Sequence, residues 1–331
     1  MGAATVAAGS SLRRYAAGRL LQAVPLVLGV IVVNFLLIAM APGDPVKTLL
    51  GEYPAPPEYV MQLRREFGLD QPVLVRLALY VRNVVTGNLG YSFAYRLPVA
   101  TLVAERLGKT FVLMATALTL AAVIGVTLGV AAARRHGAGL NVVSTGVSLA
   151  GYSIPDFWLA QLLVLLFAVA LGWLPAQGIR SVRQDYTGLA AILDLTRHLI
   201  LPAVALSFRY MALIARLTRA SMLEAMSQDF ILAARARGVP ERLVLLQHGL
   251  RNAALPVVTV IGYNFAFVLA GSALVETVFG WPGVGRLLYD AILQRDTPVL
   301  LGVLMMVSVT VVVVNLLVDL VYALLDPRVR Y

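Results

Sequence analysis

The chain has 331 residues, 60% of them hydrophobic and 13% charged, with a mean hydropathy of +0.83. Ordinary soluble domains carry about 25% charged residues, so this is an integral membrane protein with lipid around most of its surface. The net charge of +10 is almost wholly arginine, but no basic stripe with interleaved aromatics marks a nucleic-acid surface, and the absence of cysteine excludes disulfides, thiolate nucleophiles and cysteine metal sites.

Arg13, Arg14 and Arg19 precede an uncharged run from Leu20 to Ala41. It exceeds the about 7–15 residues of a signal-peptide core and can cross about 30 Å of hydrocarbon. It reads as the first transmembrane helix, amino terminus inside. Residues 42–104 form the longest polar region and are placed outside the cell membrane. Within it Pro56-Pro57-Glu58 opens a helix with Val60, Leu63 and Phe67 on one face and Gly68 at its end. Leu74, Leu77, Val81 and Val84 repeat the pattern up to Gly87, as expected of amphipathic helices lying on the membrane or on neighbouring helices. Gly108-Lys109-Thr110 imitates a phosphate-binding loop, but the required earlier glycine is Val103, so it is a decoy.

Thr110–Ala133 is the second span, closed by Arg134 and Arg135. Asn141–Leu171, about 46 Å if wholly helical, is too long for a simple span, and Pro155 is expected to kink it beside Asp156. Trp173, Pro175 and Gly178 mark its outer boundary. The fourth span runs from about Leu199 to Thr218 and includes Arg209; the fifth covers about Ala253–Val275. Glu276 opens an outer segment in which Phe279, Trp281, Leu287, Leu288 and Ile292, with Gly280, Gly283 and Gly285, imply a tight bend or a re-entrant loop. The sixth span is about Val299–Leu325. Six spans put both termini inside, with most arginine on the inner side.

Between spans four and five, residues 224–252 hold Glu224, Asp229, Arg235, Arg237, Glu241, Arg242 and Arg251, a charge density that a bilayer core rejects. Ser227 or Asp229 can cap a first short helix, Gly238 breaks it, and Pro240 suits the first turn of a second, with Glu241 at its positive end. Leu243, Val244, Leu245 and Leu246 are then consecutive. Part of this run folds back on neighbouring membrane helices; the remainder needs cover from a soluble partner.

Ala233-Ala234, Gly238 and Leu255-Pro256 resemble the cytoplasmic EAA loop of ABC-importer permeases. The text AARARGVPERLVLLQHGLRNAALP is similar to the dipeptide/oligopeptide/nickel subfamily, in which Leu232 at the motif's acidic first position and the long Gly238–Pro256 spacing are familiar. FGLDQP, GNLGYS and the closing DLVYALLDPRVRY also resemble that subfamily, which usually has aspartate at Asn88. The resemblance implies one all-α permease domain over residues 1–331, of the type I importer kind, in a bacterial cell membrane. It implies import of di- or oligopeptides together with a second homologous permease, two cytoplasmic ATPase subunits and an extracytoplasmic substrate-binding protein. ATP and magnesium belong to the ATPases; no cofactor and no catalysis are expected of this chain. Ala233, Ala234, Gly238, Pro240, Glu241, Leu243, Leu245 and Leu246 are then the ATPase-coupling residues. Nickel, glutathione or another small solute is the alternative cargo.

Asp156 and Arg209 lie about 22 and about 21 Å up their helices from the inner side. Charges at that depth are expected to pair, face water or meet substrate. Tyr263, Asn264 and Ser272 are further pathway residues, although membrane packing alone explains small and polar side chains there. A different class of reading makes the chain a stand-alone transporter coupled to protons through Asp156 or Asp319; the apolar docking run argues against it. His136, His198 and His248 lack partners at ligand spacing, so no metal site is expected.

Overall fold

The computed structural model describes residues 2–40, 56–66, 70–92, 94–134, 146, 151, 153–182 and 184–325. Outside these fall residues 42–45, Phe67 and Gly68, Arg135, most of 141–150 in the expected third span, and the last six residues. The described elements in chain order are α1 (Gly2–Ala39), α2 (Pro57–Glu66), α3 (Val73–Val85), β1 (Tyr91–Ser92), β2 (Leu97–Pro98), α4 (Val99–Arg134) and α5 (Asp156–Leu163). Next come α6 (Gly188–Met226), α7 (Asp229–Ala236), α8 (Glu241–Leu243), α9 (Arg251–Gly271), α10 (Ala273–Val278), α11 (Val284–Gln294) and α12 (Thr297–Leu325).

Among the described residues, 5 helical stretches are long and apolar enough to cross a membrane: Gly18–Leu37, Val99–Arg134, Gly188–Met226, Glu241–Asn264 and Thr297–Asp319. A helix in lipid must satisfy its own backbone, and these runs can. The described part of the expected third span is the shorter apolar helix Asp156–Ala170. The chain leaves the helix at Ile154, and Pro155 (φ −63°, ψ 135°) precedes α5, so the proline breaks the segment where expected. The helices overrun the charge-limited spans: α4 begins at Val99, and α6 runs 39 residues with Pro202 inside it. Charges end a lipid-facing stretch, but only Gly, Pro or competing caps end a helix.

The chain divides into two compact units, residues 1–108 with 286–313, and residues 109–285 with 314–331. In the first, α3 packs on α1, with the Tyr80 ring 5.6 Å from that of Phe35 and the Arg76 guanidinium 5.9 Å above the Phe35 ring. Burial pushes the Tyr80 hydroxyl up to about 12. The half-buried face of α3 is Leu77, Tyr80, Val81 and Val84; Leu74, expected on it, is 79% exposed. In the GNLGYS stretch, Asn88 Oδ1 accepts the Gly90 amide at 3.0 Å, with Gly90 at φ +91°. The Ser92 hydroxyl donates to Asp296 Oδ2 at 2.6 Å, and Asp296 Oδ1 accepts the Val299 amide at 3.2 Å in the first turn of α12.

The second unit is built on α4 and α6. A Cβ on Gly125 would meet Ile214, and one on Gly129 would meet Thr218 and the Ala215 carbonyl. The two helices therefore approach as closely as backbones allow, the usual device where packing rather than water drives association. α9 packs along α6, with Ala121, Ile214 and Val257 shared among α4, α6 and α9. Farther along, Leu113 and Ala117 of α4, Ala160 of α5 and Leu206 of α6 enclose Val275, Phe279 and Trp281.

Gly129→Ala is expected to lower the thermal stability of the purified protein, since overpacking against backbone costs about 1–3 kcal/mol. Gly108→Ala, on the same helix but with nothing within 4 Å, should be neutral or stabilising. Melting temperatures of the two variants in one detergent check the contrast; equal shifts would contradict the close approach.

Candidate functional site

The region between α6 and α9 is two short helices pinned to the ends of longer ones. Ser227 closes α6, its hydroxyl donating to the Glu224 carbonyl at 2.8 Å, rather than capping α7. Gln228 occupies the position before α7 with no side-chain cap, and Asp229 stands in the first turn, where the helix dipole favours an anion. Neither Ser227 nor Asp229 is the cap that the sequence offered.

α7 ends in a paired closure. The Gly238 amide donates to the Arg235 carbonyl at 2.9 Å and the Val239 amide to the Ala234 carbonyl at 3.2 Å, with Gly238 at φ +74°. A Cβ there would meet nothing within 4 Å, so glycine is required by backbone conformation and not by crowding. Pro240 sits one residue before α8 instead of in its first turn, and its carbonyl accepts the Leu243 and Val244 amides at 2.8 and 3.0 Å. Arg235 Nη2 and Nε donate to Glu241 Oε1 and Oε2 at 2.7 and 3.2 Å, bridging the two short helices. The bond from Arg235 holds the exposed Glu241 carboxyl below its ordinary range. Any stability this gives is present at neutral pH and fades as pH falls through that lowered value.

After α8 the chain widens into a π-helical turn, Val244–Leu250, before α9. Val244 is fully buried against Ile231 and Ala234. Leu245, 5% exposed, packs with Ala133 of α4, Met222 and Ala225 of α6, and Ala253. A Cβ on Gly249 would stand 3.0 Å from Met226 Sδ and 3.1 Å from Met222 Cε. Leu243 and Leu246 are 40% and 47% exposed, and Phe230 and Leu232 on α7 are 40% and 69% exposed. The expectation that part of the run needs outside cover fits Leu243 and Leu246; Leu245 belongs to the interior. Ala233 is exposed and Ala234 buried.

Asp156 is half-buried in the first turn of α5 and Arg209 is exposed on α6; they are within electrostatic range, but no ion pair joins them among the described residues. Tyr263 is exposed, and Asn264 donates to the Val260 carbonyl of its own helix at 2.6 Å. Ser272 is fully buried and donates to Glu276 at 3.1 Å. His198 Nδ1 lies 2.8 Å from the Asp194 carbonyl, while the Ser181 hydroxyl donates to Asp194 Oδ1 at 2.6 Å. The serine thus faces the carboxylate and not the imidazole, so the trio staples a loop to α6 and has no nucleophile–base contact. No group of three His, Cys, Asp or Glu places a metal among the described residues. Lys109 and Thr110 lie inside α4, where no phosphate loop can form. Sequence reading missed Glu276 as more than a boundary marker: it is fully buried and bonded to Thr110 and Ser272. Gly283 and Gly285 were the available signal.

Gly238→Ala should destabilise the region by on the order of 1 kcal/mol despite the open space, and Gly238→Asn by less, because asparagine tolerates positive φ better. Limited proteolysis of residues 228–243 reads this out; equal cleavage of both variants and wild type would overturn it.

Residues 125–331 match the family described as the binding-protein-dependent transport system inner membrane component, and residues 12–114 match its N-terminal membrane-component family. The chain is 40% identical over 317 residues to a probable peptide ABC transporter permease of Sinorhizobium fredii, covering 96% of this chain and 99% of the relative. It is 42% identical over 313 residues to a putative peptide transport system permease of Brucella abortus, covering 95% and 98%. It is 38% identical over 331 residues to a dipeptide transport system permease of Alkalihalophilus pseudofirmus, covering 96% and 99%. With a match over most of its length and apolar helices to cross a bilayer, the chain belongs to the binding-protein-dependent inner membrane components and is a multi-pass membrane permease.

Proposed function

We propose that this permease imports di- or oligopeptides in an ATP-driven complex, with residues 224–252 as the segment that receives force from ATPase subunits. The observation that carries the second part is the divided apolar run: Val244 and Leu245 anchor the segment to α7, α4 and α6, while Leu243, Leu246, Phe230 and Leu232 remain outward. Exposed apolar side chains on a pinned, charge-rich support fit a protein interface better than lipid. Peptide as cargo is supported by the relatives, which carry peptide or dipeptide in their names. Nickel and glutathione remain the comparison substrates.

The full assembly in this reading pairs the chain with a second homologous permease, two ATPases and an extracytoplasmic binding protein. ATP closure of the ATPases shifts the helix bundle between inward- and outward-facing states. Six spans place both termini and residues 224–252 in the cytoplasm, and residues 42–104 outside. Asp156, Arg209, Tyr263, Asn264 and Ser272 are proposed pathway residues; Asp156 and Arg209 suit the two charged ends of a peptide.

Two measurements test this. In complex reconstituted with its ATPases, Leu246→Asp and Leu243→Asp should reduce binding-protein-stimulated ATP hydrolysis about tenfold or more while permease melting is unchanged. Leu245→Asp should instead fail to fold, since it buries an unpaired charge. Wild-type stimulation in the first two removes the segment from coupling, and uptake competed by nickel rather than peptides replaces the cargo.

Sidedness is checked by cysteine substitution in a chain with none of its own. Cysteines at Gln62 and Gln184 should react with an impermeant thiol reagent in whole cells, and one at Gln247 only after the membrane is opened. Labelling at 247 in intact cells overturns the orientation.

A further inference from the structure

Glu276 has 0% exposure beside an apolar core. Its Oε1 accepts the Thr110 hydroxyl at 2.8 Å and the Ser272 hydroxyl at 3.1 Å. Thr110 Oγ1 in turn accepts the Val284 amide at 2.8 Å, where α11 begins. A buried carboxylate persists only when such bonds satisfy it. The surrounding chain leaves no slack: a Cβ on Gly283 would strike the Glu276 carboxylate and the Thr110 hydroxyl, and one on Gly285 would lie 2.6 Å from Ala273 Cα. Trp281, fully buried, donates Nε1 to the Lys109 carbonyl at 3.1 Å, and the Gly178 amide donates to the Phe279 carbonyl at 2.8 Å. Four stretches of chain meet in one knot: the Lys109–Thr110 part of α4, α10, the bend before α11, and the loop after α5.

From Thr110 to Ala133, α4 extends about 35 Å, and Ala133 touches Leu245 at the other end. Between these points Gly125 and Gly129 lock α4 against Ile214 and Thr218 of α6. α6 is held in the same two places, by Leu201–Leu206 beside Phe279 and Trp281, and by Met222 and Ala225 beside Leu245. Neither helix can slide on the other without opening one of these contacts.

We propose that α4 and α6 act as one rigid rod that carries displacement from the Leu243–Leu246 segment to the Glu276 knot, and that Glu276 is the positioning residue fixing the far end. Its bond to the Thr110 hydroxyl of α4, with the Ser272 hydroxyl at the start of its own helix completing the site, makes the bend 279–285 move with the rod instead of yielding to it. The inference rests on the coupling role proposed above.

The test uses the complete reconstituted complex and the ratio of binding-protein-stimulated to basal ATP hydrolysis, with melting temperature and assembly recorded in parallel. Thr110→Val and Glu276→Gln should each lower the ratio at least about fivefold, the lower end of measured couplings between distant sites. Thr110→Ser, which keeps the hydroxyl, should restore it. A local packing role predicts a different result: lower melting temperature and yield, with an unchanged ratio in whatever complex assembles. That result, or equal ratios for Thr110→Val and Thr110→Ser, overturns the proposal. If Glu276→Gln does not assemble, the threonine pair decides alone. Failure of the coupling reading is distinguishable, because Leu246→Asp would then retain the wild-type ratio while the threonine variants say nothing about docking.

Discussion

Two backbones in the second unit approach until almost nothing separates them. Gly125 and Gly129 on α4 leave room for Ile214 and Thr218 on α6, and there is no space for a methyl group at either glycine. In lipid, apolar side chains gain nothing from leaving the solvent, so contact area and backbone proximity must hold helices together. The remaining contacts of this unit depend on that spacing. Met222 and Ala225 can share Leu245 with Ala133 only because the two helices end side by side. The same pairing brings Leu113 and Leu206 around Phe279 and Trp281 at the opposite end.

The segment after α6 shows how a chain keeps an apolar surface exposed without losing its shape. Its geometry comes from bonds that need no burial, namely the paired closure at Gly238 and the Arg235–Glu241 bridge. Its attachment comes from Val244 and Leu245, which face inward. With position and shape set by those groups, Leu243 and Leu246 are free to present an unsupported apolar face. A surface ion pair alone contributes little, so the bridge orients the helices more than it stabilises them.

Much of the helix architecture was legible in the sequence, because charge-free stretches long enough to cross lipid leave few alternatives. Pro155 and Gly238 were legible as breaks because each acts through its own backbone geometry. The division within Leu243–Leu246 was not. Four consecutive apolar residues cover every direction around a helix, and which ones face inward depends on where Ala133, Met222 and Ala225 happen to lie. The π-helical turn also shifts the phase of later residues by roughly one position, which no 3.6-residue pattern anticipates. Thr110 misleads for a different reason: it sits in a false nucleotide motif, while its real partner is 166 positions away. A charge is also a poor guide to a helix end, since α4 and α6 both begin well before the spans that Thr110 and Leu199 open.

Three carboxylates set near or within apolar surroundings reach different solutions. Asp296 has a serine hydroxyl and the amide of a helix start, and it organises a hairpin. Glu276 accepts two hydroxyls, and a Cβ at Gly283 or Gly285 would press on its carboxylate. Asp156 is only half-buried, opens a helix after a proline, and makes no ion pair with Arg209 among the described residues. An acid held so loosely can exchange partners at little cost, whereas one bonded as Glu276 is cannot. The difference lies in bonding and burial: Glu276 is held by hydroxyls on α4 and at the start of its own helix, whereas Asp156 sits half-buried in the first turn of α5. The guanidinium of Arg209 is exposed on the helix that packs against α5.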